Sequence, residues 1–275
     1  MNPRPIVGLK TSDYEHPLDA KTMKILQDTR GLENVIRRFY DMGVEKVIKL
    51  QYTGSSLRLT PQSFPKVYRS LELACTTLGY QGPVPPIYLE RSEQFTALTL
   101  GADDPFIVLS SECIDKLQAE ELLFIFGREI AKIKSNHILY QELGFIFPEL
   151  MDAMSSLTLG LSSILSTGLK YALFNWAQMA EYTADRGGLL ACQDIFVVKN
   201  YYAKIAGLPE RYWAQFPIED LETQAKQFEG LNEKTFEKFV RFLYGNNLYA
   251  IARARELMNW TESGAYNQII ARKLA

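Results

Sequence analysis

The chain has 275 residues, 47% hydrophobic and 23% charged, with a formal net charge of −2. Such a composition is that of a globular protein and excludes fibrous and disordered classes. Acids and bases are interspersed without a basic stripe, so no nucleic-acid partner is expected. The three cysteines, Cys75, Cys113 and Cys192, lie far apart and form no CxxC pair. That spacing supports neither a zinc knuckle nor a disulfide framework. Reduced packing thiols fit a cytoplasmic location. Only two histidines are present, His16 and His137, which leaves little imidazole for ligands or bases.

Residues 1–20 carry prolines and charges but no apolar run. They read as a flexible N-terminal arm and not as a signal peptide. Residues 21–275 read as one α+β domain. Its parts are a helical lead (21–80), a sheet followed by a helix (85–140), a helix over 171–193 and a helical C-terminal part (194–275). In the lead, Met23, Leu26, Leu32, Val35, Ile36 and Phe39 recur at three- and four-residue steps, with breaks expected at Gly31 and Gly43. Leu57 to Thr60 is a short extended piece stopped by Pro61. A helix runs from Ser63 to Leu78 and ends at Gly79. Three short apolar runs then follow, starting at Ile87, Phe95 and Phe106 and bounded by Gly, Pro or Asp. They read as three strands of one small sheet.

Beyond the sheet the spacing is helical. Gln118 to His137 places Leu122, Leu123, Ile125, Phe126, Ile130 and Ile133 on one broad face. A long helical region runs from Leu143 to about Cys192, and further helices are expected at 196–206, 218–228, 234–243, 248–260 and 265–273. The stretch from Ala153 to Leu169 holds no charged residue. It is barely long enough to span a bilayer and is diluted by Ser and Thr. It reads as a buried core helix, with peripheral membrane contact as the alternative.

Several of these segments, in order, resemble one family. They are Phe95-Thr96-Ala97-Leu98-Thr99-Leu100-Gly101, the strand from Phe106 to Ser110, Leu117-Gln118-Ala119-Glu120-Glu121-Leu122 and Glu181-Tyr182-Thr183-Ala184-Asp185-Arg186. Trp176, Gly188-Leu189-Leu190, Arg253-Ala254-Arg255-Glu256-Leu257 and Trp260 continue the series. Together they resemble the HtpX and CAAX-prenyl-protease family of zinc metallopeptidases, which are gluzincins. The resemblance implies a mainly helical, zincin-like α+β fold with one small sheet and helical N- and C-terminal extensions. It further implies a helix carrying H-E-x-x-H, whose histidines bind zinc and whose glutamate activates water. A later E-x-x-x-D supplies a glutamate ligand and an aspartate that orients a histidine.

This chain departs from the family where the chemistry sits. In place of H-E-x-x-H stands Arg128-Glu129-Ile130-Ala131-Lys132, and Asn247-Leu248 stands where the family often has His-Pro. Arg128 and Lys132 differ by about 40° around a helix and share a face. A protonated guanidinium or ammonium offers no lone pair to a metal. The expectation is therefore that zinc is lost and no cofactor is held. His137 lies half a turn out of phase with Arg128 and reads as a helix-end or core histidine.

Glu181 and Asp185 also share a helix face, and buried carboxylates need cations. Arg128 is expected to pair with Asp185, and Lys132 with Glu181. Arg128, Glu129, Lys132, Glu181 and Asp185 are then a vestigial site. On that view the chain is not an enzyme but a non-catalytic relative that binds a protein or peptide. The candidate cleft is the edge strand at Phe95, Thr96, Ala97 and Leu98, where an extended segment adds to the sheet. The rival readings are a hydrolase with an altered centre and a membrane-associated scaffold.

Overall fold

The computed structural model describes residues 3–146, 167–230 and 250–272. Four helices open the chain: α1 (Thr11–Tyr14), α2 (Pro17–Gln27), α3 (Leu32–Asp41) and α4 (Val44–Ser55). Gly31 and Gly43 make the breaks before α3 and α4, at φ of +97° and +63°, a region that favours glycine. Next come β1 (Leu57–Leu59), α5 (Pro65–Thr77), β2 (Ile87–Glu90), β3 (Ala97–Leu100) and β4 (Phe106–Ser110). Then follow α6 (Ser111–Lys116), α7 (Ala119–Lys134) and α8 (Ile138–Gln141), which leads into a π-helical turn at Glu142–Ile146. Among the described residues the later α-helices are α9 (Thr167–Cys192), α10 (Ile195–Ile205), α11 (Ile218–Gly230), α12 (Ala250–Glu262) and α13 (Ala265–Ile270). The class is α+β.

Among the described residues the sheet has four strands and not three, because β1 adds antiparallel to β2. The order is β1-β2-β4-β3, with β2 and β4 parallel and β3 antiparallel to β4. Every residue of β4 is buried, as a central strand requires. β3 is an edge. Successive side chains point to opposite faces, and each face closes a separate core. Ile87, Ile107 and Leu109 meet α5 and α7. Tyr88, Phe106 and Val108 meet α2, α3, α4 and the first half of α9.

Helix α9 belongs to both cores. Its 26 residues span about 39 Å. Leu169, Leu173, Trp176, Ala177 and Ala180 lie in one core, and Leu189 to Cys192 in the other. The polar residues Glu181 and Asp185 fall where the helix passes between them.

Residues 3–20 do not form the free arm that their composition predicts. Ile6, Leu9 and Tyr14 belong to the first core, and Tyr14 is fully buried. The Ile6 N–H donates to the Thr77 carbonyl at 2.9 Å, and Arg4 and Gln193 exchange two hydrogen bonds. The segment has no apolar run, but single large residues each fill a place in a core built elsewhere. Most of the uncharged stretch between Ala153 and Leu169 lies outside the described residues, as do the helix expected at 234–243 and the pair Asn247-Leu248. Among the described residues no helix is long and apolar enough to cross a membrane.

Helices α7 and α9 approach through small residues. A Cβ added to Gly127 would lie 2.3 Å from the Ala191 Cβ, and one added to Gly187 would lie 2.2 Å from the Ala131 Cβ. At Gly188 it would meet Arg128 Cγ and the Phe124 ring at 2.7 Å. In an ordinary helix, Gly→Ala stabilises by about 0.5–1 kcal/mol. Here Gly187→Ala overpacks a buried contact, so we expect a loss of about 1–3 kcal/mol. The midpoint of urea unfolding gives the sign.

Candidate functional site

The close contact of α7 and α9 sets two i,i+4 pairs against each other. Helix α7 begins with a capping box, in which the Glu121 carboxylate accepts the Gln118 N–H at 2.8 Å. Acids fill its first turn, and Lys132 and Lys134 its last, matching the helix dipole. Arg128, Glu129 and Lys132 stand on the buried length of this helix.

The two expected ion pairs are present. Arg128 Nε donates to Asp185 Oδ1 at 2.8 Å, and Lys132 Nζ lies 3.0 Å from Glu181 Oε1. The cluster is larger than these pairs. Arg128 Nη2 also donates to Glu181, and Lys132 Nζ to Glu129 Oε1 at 3.1 Å. A third cation enters from α12: Arg253 donates through Nε to Asp185 Oδ2 at 2.8 Å and through Nη2 to Asp185 Oδ1 at 2.5 Å. Arg253 Nη2 also lies 3.4 Å from Glu181 Oε2. Three cations, Arg128, Lys132 and Arg253, thus meet three carboxylates, Glu129, Glu181 and Asp185. Glu181 is the most open of the six, with 23% of its side chain exposed, against 1% for Asp185.

Burial alone would raise the Glu181 carboxyl, but Lys132, Arg128 and Arg253 outweigh it and hold it well below the usual carboxylate range. Burial and the neighbouring Arg253 act to lower Arg128, yet Glu181 and Asp185 carry it above its ordinary value. Both groups stay charged.

The residues at the positions where the resemblance places H-E-x-x-H do not fit zinc. Arg128 and Lys132 direct N–H groups, not lone pairs, toward the space between the helices. Both Glu181 oxygens are engaged by cations. Among the described residues no group of three or more His, Cys, Asp or Glu is placed to hold a metal ion.

Glu129 is fully buried and committed at both oxygens. Oε2 accepts the Thr99 N–H and hydroxyl, each at 2.9 Å, while Oε1 faces Lys132. It therefore ties the cluster to β3. Phe95, Thr96, Ala97 and Leu98 are half-buried at that edge.

His137 stands apart from the cluster. It is buried with Nε2 3.3 Å from Asp19 Oδ2, its ring edge-on to Trp176. Burial and Lys132 push it down to about 4, so it is neutral. Asp19 is also bound by the Trp176 N–H at 2.9 Å and the Thr183 hydroxyl.

Sequence reasoning missed three contributors. Arg253 was visible only as one of two arginines, with nothing to say which faces inward. The signal was the charge count, since three carboxylates opposed only two cations. Asp19 and Glu142 carried no local signal. Glu142 is buried, accepts the Gly101 N–H at 2.7 Å through Oε1, and has no partner for Oε2 among the described residues.

The structure thus defines an α+β protein in which two cations on α7 meet the carboxylates of α9. The chain belongs to peptidase family M48, whose family model matches residues 61–206. It is similar to the plastoglobule-localized metallopeptidase 48 of Arabidopsis thaliana chloroplasts, with 23% identity over 269 residues, covering 96% of this chain and 76% of that protein. No solved structure matches. The expectation that the chain is not an enzyme is thereby corrected. It was drawn from two replaced histidines, whereas the family signal extends over 61–206 and the metallopeptidase likeness over nearly the whole chain.

Two outcomes test the electrostatics. Asp185→Ala leaves buried cations unpaired and is expected to destabilise by about 3–5 kcal/mol. Glu210→Ala, at the exposed pair with Lys116, is expected to leave the unfolding midpoint nearly unchanged. Thermal or urea unfolding compares them.

Glu142 gives a pH dependence. Burial pushes it up to about 7, above its unfolded value of about 4.3. Folding therefore favours the protonated form, and stability is lost as pH rises through the folded value. Glu142→Gln should raise stability by about 3 kcal/mol at pH 8 and by progressively less toward pH 5, read from unfolding midpoints at each pH.

Proposed function

We propose that this M48-family chain binds an extended polypeptide segment along the outer edge of β3, with an ion-pair cluster standing where its family's resemblance places zinc. The observation that carries this reading is the set of contacts made by Arg128 and Lys132. Both replacements are buried and paired with carboxylates, including Glu181 at the family's glutamate-ligand position.

The charge balance supports the cluster. Arg128 and Lys132 bring two positive charges, as a divalent metal would, and Arg253 brings a third against three carboxylates. A buried carboxylate facing no cation would be costly, so losing both histidines without gaining cations would have destabilised the fold. Polypeptide binding is supported by the position of β3. It is an edge strand, its lead-in residues Phe95 and Thr96 are half-buried, and it lies directly beside the cluster through Glu129. Edge strands present unpaired backbone groups that an extended chain can meet.

Reversion tests the proposal. Arg128→His with Lys132→His restores two imidazoles on one helix face, opposite Glu181. The double variant is expected to gain high zinc affinity in isothermal titration, with each single variant gaining far less. A double variant that folds with native circular dichroism but binds zinc no better than the wild type would contradict the account.

A further inference from the structure

The backbone donors along the open side of β3 are in large part already taken, by this chain's own carboxylates. The Ser110 N–H donates to the Thr96 carbonyl at 2.9 Å, and the register sets Ala97 against Leu109 and Thr99 against Ile107. Bonded and non-bonded pairs alternate along an antiparallel ladder. Thr96, Leu98 and Leu100 therefore turn their backbone groups to β4, while Ala97 and Thr99 turn theirs to the open edge. Gly101 follows in the same phase. Consistently, Ile107, opposite Thr99, donates its N–H away from β3, to the Pro86 carbonyl at 2.9 Å.

Two of these three outward donors meet a carboxylate. The Thr99 N–H donates to Glu129 Oε2 at 2.9 Å, and the Gly101 N–H to Glu142 Oε1 at 2.7 Å. Both carboxylates are buried. Two donors two residues apart along a strand are spaced by about 6.6 Å, the repeat at which a neighbouring strand would offer carbonyls. The two side chains thus stand in for that strand. Each is anchored independently. Glu129 is held by Lys132 at 3.1 Å, and Glu142 sits at the start of the π-helical turn. The Ala97 N–H meets no acceptor among the described residues.

We propose that Glu129 and Glu142 form a side-chain cap that closes the outer edge of β3 at Thr99 and Gly101, so that an extended polypeptide pairs with this strand only at Ala97 and the residues before it. The cap is a property of the free chain. Only the statement about where a polypeptide pairs rests on the binding reading above. An incoming strand that paired past Ala97 would have to displace buried carboxylates and leave them without their N–H donors, which is unfavourable. The cap also protects the edge from pairing with a second copy, a known hazard of exposed strands.

Amide hydrogen exchange read residue by residue, on the full chain, tests this. In the free wild type, Thr99 and Gly101 should be protected although they face the open edge, and Ala97 should exchange fast. Glu142→Ala should accelerate Gly101 about tenfold or more, the loss of one bond worth roughly 1.4 kcal/mol, while Glu142→Gln, which keeps an acceptor, should preserve the protection. Thr99 and Gly101 amides as fast as Ala97 in the wild type would overturn the cap, and this comparison needs no variant to fold. So would an Ala variant, folded by circular dichroism, with Gly101 still protected. Reduced, carboxymethylated α-lactalbumin, a permanently unfolded polypeptide, then probes the pairing. It should slow Ala97 in the wild type and leave Thr99 and Gly101 unchanged. If it slowed Gly101 in the wild type, the cap would be refuted. If it slowed none of the three while Thr99 and Gly101 stayed protected, polypeptide binding at β3 would fail and the cap would stand.

Discussion

The contact between α7 and α9 governs the rest of the molecule. Gly127, Gly187 and Gly188, with Ala131 and Ala191, leave no room for a single added carbon at the crossing. Helices that approach so closely bring side chains at facing positions into direct contact. That is why Arg128 and Lys132 reach Glu181 and Asp185 without bridging water, and why α9 can pass from one core to the other at this point. The sheet is positioned by the same contact, because Glu129, on the same buried helix, fixes Thr99 of β3.

The electrostatic consequence is a buried network whose parts depend on one another. Three cations and three carboxylates are largely withdrawn from water. Burying such charges is unfavourable, and their mutual attraction offsets it only while all partners are present. Arg253 carries this dependence to α12, so residues from three helices share one network. Among the described residues no group of three or more His, Cys, Asp or Glu is left to hold a metal ion there.

Much of this was legible in the sequence, for identifiable reasons. The i,i+4 spacing of Arg128 with Lys132 and of Glu181 with Asp185 fixed which residues share a face, and opposite charge fixed how the faces meet. Gly31 and Gly43 announced the helix breaks, since few other residues accept those backbone angles. What could not be read was non-local. Tyr14 and Asp19 sit in a stretch with no apolar period, yet Asp19 is bound by Trp176 and Thr183, more than 150 residues away, and Tyr14 meets Ser135, 121 residues away. The cap on β3 joins side chains to backbone, which leaves no periodic trace. Arg253 and Arg255 look alike as letters, and only the helix packing chooses between them.

We propose that the space between α7 and α9 is filled by paired charge and not by zinc. Metal analysis of the chain, purified after expression with added zinc and dialysed against metal-free buffer, addresses it most directly. The account predicts zinc far below one ion per chain, with Arg128 and Lys132 holding the site. Stoichiometric zinc that survives dialysis, and that is lost on Glu181→Ala, would contradict it.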